Sequence, residues 1–426
     1  MPNGPLHPLL EAVEGLLPET RDVYTDLHAH PELSMQEHRT AARAAERLQA
    51  AGFEVTTGVG TTGVVGVLRN GDGPTVALRA DMDALPVRED TGLPYASTVT
   101  ATDPDGAETP VGHACGHDMH VAWLTAAAAL FGAHRDAWSG TLVALFQPAE
   151  ETGTGARAMV DDGLVARFPT PDVVLGQHVM PAPAGIVATR PGTATSASDV
   201  WRIRMFGRGA HGSMPEAAID PVVMAASTVV RLQTVVSREL GMNEAAVLTI
   251  GVLQAGSKEN VIPDEATIGL NLRCYDEDVR ARAQDAIRRI VAAEAHAAGA
   301  PREPEITPVE TYQVTDNDPT ATDRVLTALR DHLGADRVAP MGPTSASEDF
   351  GVLGRAWGTP SVFWFVGGAD PDTYDTLARE GRLAELPTNH SPRFAPVLDP
   401  TVRTGVETLV TAAGAWLAPE GDGAAG

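Results

Sequence analysis

LVALFQPAEE, residues 142–151, decides the fold: an unbroken apolar run from Leu142 to Phe146 closes in the polar tip Gln147-Pro148-Ala149-Glu150-Glu151. A strand wetted on one side alternates apolar and polar residues, so an unbroken run reads as a strand covered on both faces, the habit of parallel sheets. VVLGQHV (173–179) has the same form. FEVTTGVG (53–60), GVVGVLRN (63–70), TVALRADMDAL (75–85) and SVFWFVGG (361–368) supply further strands, with the turn Asn70-Gly71-Asp72-Gly73 between the second and third of these. Helices alternate with them. Ser34 to Glu37 reads as a capping box ahead of an alanine-rich stretch that Gly52 stops, which predicts a helix over about 35–51, and 120–134 and about 399–417 are also helical. The prediction is an α/β class: a mixed, largely parallel sheet flanked by helices.

The pattern changes near residue 195. VWRIRMFG, PVVMAASTVVRLQTVV, AAVLTIGVLQ, ATIGLNLRCY, EDVRARAQDAIRRIVAAEAHAAG and EITPVETY follow one another as strand, helix, strand, strand, helix and strand. That βαββαβ order is ferredoxin-like. The chain then returns to α/β character, so residues 1–194 and 309–426 are expected to form one domain, with 195–308 inserted as a small α+β domain.

Composition bounds the function. Lys plus Arg number 31 against 56 Asp plus Glu, a net charge of −25 over 426 residues, which repels a nucleic-acid backbone or an anionic membrane surface. The longest apolar runs, such as TAAAALF, fall far short of the roughly 20 residues of a membrane span. MPNGPLHPLLEAVEG has neither a basic n-region nor an apolar h-region, so a cytoplasmic protein is expected, and PEGDGAAG reads as a frayed end. Two cysteines, Cys115 and Cys274, build no disulfide framework.

Chemistry concentrates in His113-Ala114-Cys115-Gly116-His117-Asp118-Met119-His120, three imidazoles, a thiol and a carboxylate in eight residues. Imidazole and thiolate suit zinc or a similar divalent ion; the alternative is a helix N-terminus that these polar residues merely cap. Glu150 and Glu151 are adjacent carboxylates that repel unless a cation or shared proton relieves them, which suits one ligand and one base; alternatively they are two solvated residues starting a helix. His178, at the end of VVLGQHV, and His390, in Asn389-His390-Ser391-Pro392, are placed to converge with them on the carboxyl edge of the sheet.

With LHAHPELSMQEHRTA (27–41), ALRADMDALPVRE (77–89), GHACGHDMH (112–120), FQPAEE (146–151), GQHVMP (176–181), GRGAHGSMP (207–215), NVIPD (260–264), SEDFG (347–351) and NHSP (389–392), the chain resembles the M20 family of metallopeptidases and amidohydrolases over nearly its whole length. The branch it resembles holds the auxin-conjugate hydrolases, hippurate hydrolases and N-acyl-amino-acid amidohydrolases. The resemblance implies a zinc-exopeptidase-like catalytic domain with an inserted lid and dimerisation domain. It also implies two divalent ions, zinc or manganese with cobalt or nickel as further options, held by Cys115, His117, Glu151, His178 and His390, with Cys115 bridging. Glu150 would be the general base and Asp83 would orient a ligand histidine. His211 would stabilise the oxyanion, often from the partner subunit of a homodimer, and Asn260 and Arg273 would bind the substrate carboxylate. Gly112-His113 departs from the family's usual methionine before HACGHD, and Cys274, beside Arg273 on a strand, should point the opposite way and be packed and inert. The implied substrate is a small N-acyl amino acid. Alternatives are a dipeptide or an N-acetyl-diaminopimelate or cysteine conjugate with the same mechanism, or a non-catalytic metal-binding relative.

Overall fold

The computed structural model describes residues 6–418, so the PEGDGAAG tail lies outside the described residues. The chain divides into two compact units, 1–194 with 316–342 and 349–426, and 195–315 with 343–348.

In the first unit eight strands form one sheet, in the spatial order Glu54–Val59, Gly63–Asn70, Gly140–Gln147, Thr75–Asp81, Val173–Pro183, Ser361–Ala369, Val187–Thr189, Val338–Pro340. The strands from Gly140–Gln147 to Ser361–Ala369 are mutually parallel, and Glu54–Val59 and Gly63–Asn70 extend one edge antiparallel. The two strands flanking the Asn70–Gly73 turn do not pair; Gly140–Gln147 lies between them. The unbroken apolar run has the expected cause. Leu142, Ala144 and Phe146 enter a core shared with the helices His7–His28, His117–Ala133 and Thr401–Leu417, whereas Val143 and Leu145 enter a second core on the opposite face with Met159, Phe350 and Leu353.

Three helices depart from the reading of the sequence. The helix predicted over about 35–51 begins at His38, because Ser34 donates from Oγ to Asp83 (2.6 Å) and Glu37 turns its carboxylate inward to Thr62 instead of back to the Ser34 N–H, so no capping box forms. The 22-residue helix His7–His28 is absent from the sequence reading: Pro18 reads as an interior breaker, and only its buried stripe of Leu9, Val13, Leu17, Thr20, Tyr24 and Leu27 carries the helical period. The helix predicted over 120–134 starts earlier, at His117.

The second unit has the ferredoxin-like order. Its antiparallel sheet runs Ala246–Ala255, Glu265–Cys274, Ala197–Phe206, Glu305–Tyr312, and helices Pro221–Thr234 and Glu277–Ala297 share a core with it that includes Trp201, Ile203, Met224, Ile268, Leu270 and Ile287. Burial alternates residue by residue along Glu265–Cys274, leaving Arg273 half-buried and Cys274 buried, as the sequence reading anticipates.

Candidate metal and acid–base site

Within the first unit, the carboxyl ends of Thr75–Asp81 and Gly140–Gln147 deliver Asp81, Asp83, Glu150 and Glu151 to the start of the helix His117–Ala133. Gly116 makes that approach possible: its φ is 83°, and a Cβ there would meet Val179 Cγ1 at 2.4 Å. The turn places Cys115 and His117 side by side, and Cys115, His117 and Glu151 each offer a donor atom within 4.8 Å of the other two.

Hydrogen bonds fix which face of each ring looks inward. His117 Nδ1 lies 3.2 Å from Asp83 Oδ1, leaving Nε2 between Asp81 Oδ2 at 3.7 Å and Glu151 Oε1 at 3.8 Å; His117 Nε2 and Glu151 Oε1 are buried and neither has a hydrogen-bond partner. His178 donates from Nδ1 to the Val179 carbonyl at 2.7 Å, so its Nε2 lone pair points toward Cys115 Sγ, 3.5 Å away. His390 Nε2 is 3.2 Å from Glu151 Oε2, and its loop is pinned by its own N–H on the Ala114 carbonyl (2.7 Å) and by Asn389 Nδ2 on the carbonyls of Cys115 and Val179, each 3.2 Å. Glu150 is buried, with Oε2 4.0 Å from His117 Nε2.

The electrostatics show a site that draws positive charge to itself. Burial lowers His117, but Asp81 and Asp83 outweigh it and hold the ring well above its ordinary value. Hydrogen bonds with Cys115 and Glu151 take His390 up to about 10, whereas burial takes His178 down to about 4, leaving a neutral imidazole with a free lone pair. Burial and the Glu151 charge push the Cys115 thiol up, so a thiolate there needs positive charge beside it. A buried thiol, imidazoles and a carboxylate, two of whose donor atoms are orphaned and face one another, fit a divalent cation.

Of the other histidines in the His113–His120 run, His120 lies close to Asp81, His117 and His178, and His113 does not. His120 accepts from the Val179 N–H at Nε2 (2.9 Å) and bonds Asp81 through Nδ1, so both ring nitrogens are committed. His113 is buried with neither nitrogen paired and is not among the converging donors. Sequence reading missed the supports: Arg79, fully buried, donates from Nη1 to Asp81 (2.6 Å) and from Nη2 to Asp349 (3.2 Å), while Ser34, Glu37 and Asn389 hold the surrounding loops. All lie within quoted motifs, but nothing in their residue type marks them.

In the second unit, His211 is exposed, and Ala210–His211 pairs with Val261–Ile262 in a two-residue ribbon on which the Gly212 N–H donates to the Asn260 carbonyl at 2.8 Å. His211 and Asn260 are thus neighbours. Arg273 is placed elsewhere on that unit's sheet; it donates to Asn271 Oδ1 (3.0 Å), the Ser345 carbonyl (2.8 Å) and Ser347 Oγ (3.1 Å).

Residues 77–380 match the family described as Peptidase family M20/M25/M40. Thermostable carboxypeptidase 1 of Saccharolobus solfataricus is 36% identical over 86% of this chain and 88% of that protein. Hippurate hydrolase of Campylobacter jejuni is 39% identical over 66% of this chain and 71% of its own length. The crystal structure of the Bacillus subtilis YXEP protein, described as a dinuclear metal-binding peptidase of the M20 family, superposes with a TM-score of 0.73 at 27% identity, covering 94% of this chain and 98% of that one.

Proposed function

We propose a substrate and a mechanism for a chain that belongs to peptidase family M20/M25/M40 and is a metal-dependent hydrolase. The substrate is an N-acyl amino acid, cleaved at its amide bond. The observation that carries the reading is the buried, unpartnered pair of His117 Nε2 and Glu151 Oε1 beside Cys115, with His178 3.5 Å from the Cys115 sulfur and His390 3.2 Å from Glu151. These five would hold two divalent ions, the number named for the YXEP protein, with Cys115 favouring zinc and leaving manganese, cobalt or nickel open. When bound, the metal acidifies water and polarises the scissile carbonyl.

The chain's own residues do the rest. Glu150, beside the ligands, takes the proton of the attacking water and returns it to the leaving nitrogen. Asp83 holds His117 through Nδ1, leaving Nε2 as the nitrogen that would hold a metal, and accepts the main-chain N–H groups of Glu150 (3.0 Å) and Glu151 (3.1 Å), so one buried carboxylate positions both glutamates and the imidazole. For the second unit we assign His211 to the developing oxyanion and Asn260 and Arg273 to the substrate carboxylate; the exposure of His211 and its adjacency to Asn260 support the first two. A homodimer through the second unit accords with its exposed edge strand. No helix among the described residues is long and apolar enough to cross a membrane, and a ligand thiol that must stay reduced favours the cytoplasm.

Likeness to a carboxypeptidase favours a second reading, exopeptidase cleavage. Chelated protein should be inactive, and after return of Zn²⁺, Mn²⁺, Co²⁺ or Ni²⁺ it should hydrolyse N-acetyl or N-benzoyl amino acids faster than dipeptides. Faster dipeptide cleavage selects the second reading, and no metal-restored cleavage of either class contradicts both.

A further inference from the structure

Three consecutive main-chain N–H groups at the tip after the Gly140–Gln147 strand end on buried carboxylates. Two of them, those of Glu150 and Glu151, go to Asp83. The other, that of Ala149, goes to Glu37, whose Oε1 accepts it at 2.8 Å. The same oxygen accepts the Met35 N–H at 2.9 Å, and Oε2 accepts the Thr62 hydroxyl at 2.5 Å. Glu37 is wholly buried.

What surrounds Glu37 is strained. Among the described residues four non-glycine residues have positive φ, and three border this carboxylate: Met35 at 63°, Thr61, next to Thr62, at 93°, and Ala149 at 46°. A left-handed alanine is unfavourable, and such a conformation persists only where its surroundings over-determine it. Ala149 is also buried and its carbonyl accepts the Gly155 N–H at 3.0 Å, so this residue is held from both sides. It immediately precedes Glu150.

We infer that Glu37 is a positioning residue for the base: by capturing the Ala149 N–H it holds the left-handed turn that aims the Glu150 carboxylate. The inference rests on the reading of Glu150 as the base. Glu37 touches no ligand among its hydrogen bonds, so its removal leaves metal affinity in place and acts on turnover. Glutamine is the conservative substitute: its amide oxygen can accept both N–H groups while its NH₂ meets Thr62 Oγ1. Glycine at 149 takes a left-handed φ unaided, so it relieves dependence on the clamp.

The test is a cycle on metal-loaded protein with an N-acyl amino acid. Glu37→Ala should lower kcat at least about tenfold, with KM and metal content within about twofold of wild type. Glu37→Gln should recover most of the loss, and the loss on removing Glu37 should shrink at least about threefold in an Ala149→Gly background. An unchanged kcat in Glu37→Ala, equal losses in the Ala and Gln variants, or an undiminished loss in the Ala149→Gly background would each overturn the inference. If Glu37→Ala does not fold, amide hydrogen exchange in the wild type decides: the Ala149 N–H should be protected despite lying in a loop, and rapid exchange contradicts the clamp. Glu150→Gln run in parallel separates the two claims, because an active Glu150→Gln refutes the base, whereas an inactive one beside a fully active Glu37→Ala refutes only the positioning.

Discussion

Cys115 and Cys274 show how one residue type acquires two fates. Both are buried, but Cys115 faces His178 and lies beside Glu151, whereas Cys274 packs with Ala197, Val279 and Val314, where burial raises its thiol to about 11. Cys115→Ala should therefore release bound metal and Cys274→Ala should retain it, measured as metal per chain after gel filtration; equal loss from both contradicts the assignment. Where the residue type itself carries the chemistry, the sequence singles out residues that the fold brings near one another: Cys115, His117 and Glu151 offer donor atoms to one point, and Glu150 Oε2 lies 4.0 Å from His117 Nε2. Residue type alone does not separate His117 from His120, two imidazoles on one helix, which only the family resemblance told apart; in the structure the difference is the Val179 N–H from a distant strand. Nor does residue type find Glu37 or the reach of Asp83, whose partners are main-chain groups more than sixty residues away.

At the scale of elements, the helix His7–His28 ends where His28 joins the start of the helix His117–Ala133. Its Nδ1 lies 2.6 Å from Asp118 and its Nε2 3.0 Å from Glu89, all three side chains buried. Burial lowers the imidazole, but Asp118 and Glu89 outweigh it and raise it from 6.5 to about 10. Since the folded value lies above the unfolded one, this contribution is complete below about pH 6.5 and is lost as pH rises through about 10; its full size is of order 5 kcal/mol. Thermal unfolding of the metal-loaded protein should show the melting temperature falling over that window, and His28→Leu should be less stable at pH 7 with a flatter slope. Parallel curves for the two proteins would remove the imidazolium from the account. Strand identities were legible because apolar patterning reports burial directly. Strand order was not, since Gly140–Gln147 pairs between two strands that adjoin in sequence, and the Ser34–Glu37 cap was misread because tertiary carboxylate contacts outcompeted a local motif.

On the scale of the whole molecule, the inserted βαββαβ unit was legible from its element order alone. Its ten-residue strand Ala246–Ala255 is a sheet edge, with Val247 60% and Leu253 51% exposed, and Val223 and Val230 project from the adjacent helix at 62% and 73%. A long apolar edge left open is a site for pairing, and a second copy of this chain is the occupant we propose. Val247→Lys with Leu253→Lys should shift the protein toward monomer in sedimentation; if the dimer persists unchanged, this edge is not its interface. If His211 serves the partner's site, mixing Glu150→Gln and His211→Ala chains should restore part of the lost activity after verified subunit exchange, and no recovery confines His211 to its own chain or removes it from catalysis. The division of labour at the metal site is tested most directly by turnover of Glu150→Gln at measured metal content. Glu150→Gln should keep wild-type metal per chain with turnover lowered by about 10²- to 10⁴-fold. Loss of the metal, or turnover near wild type with the metal retained, would contradict it.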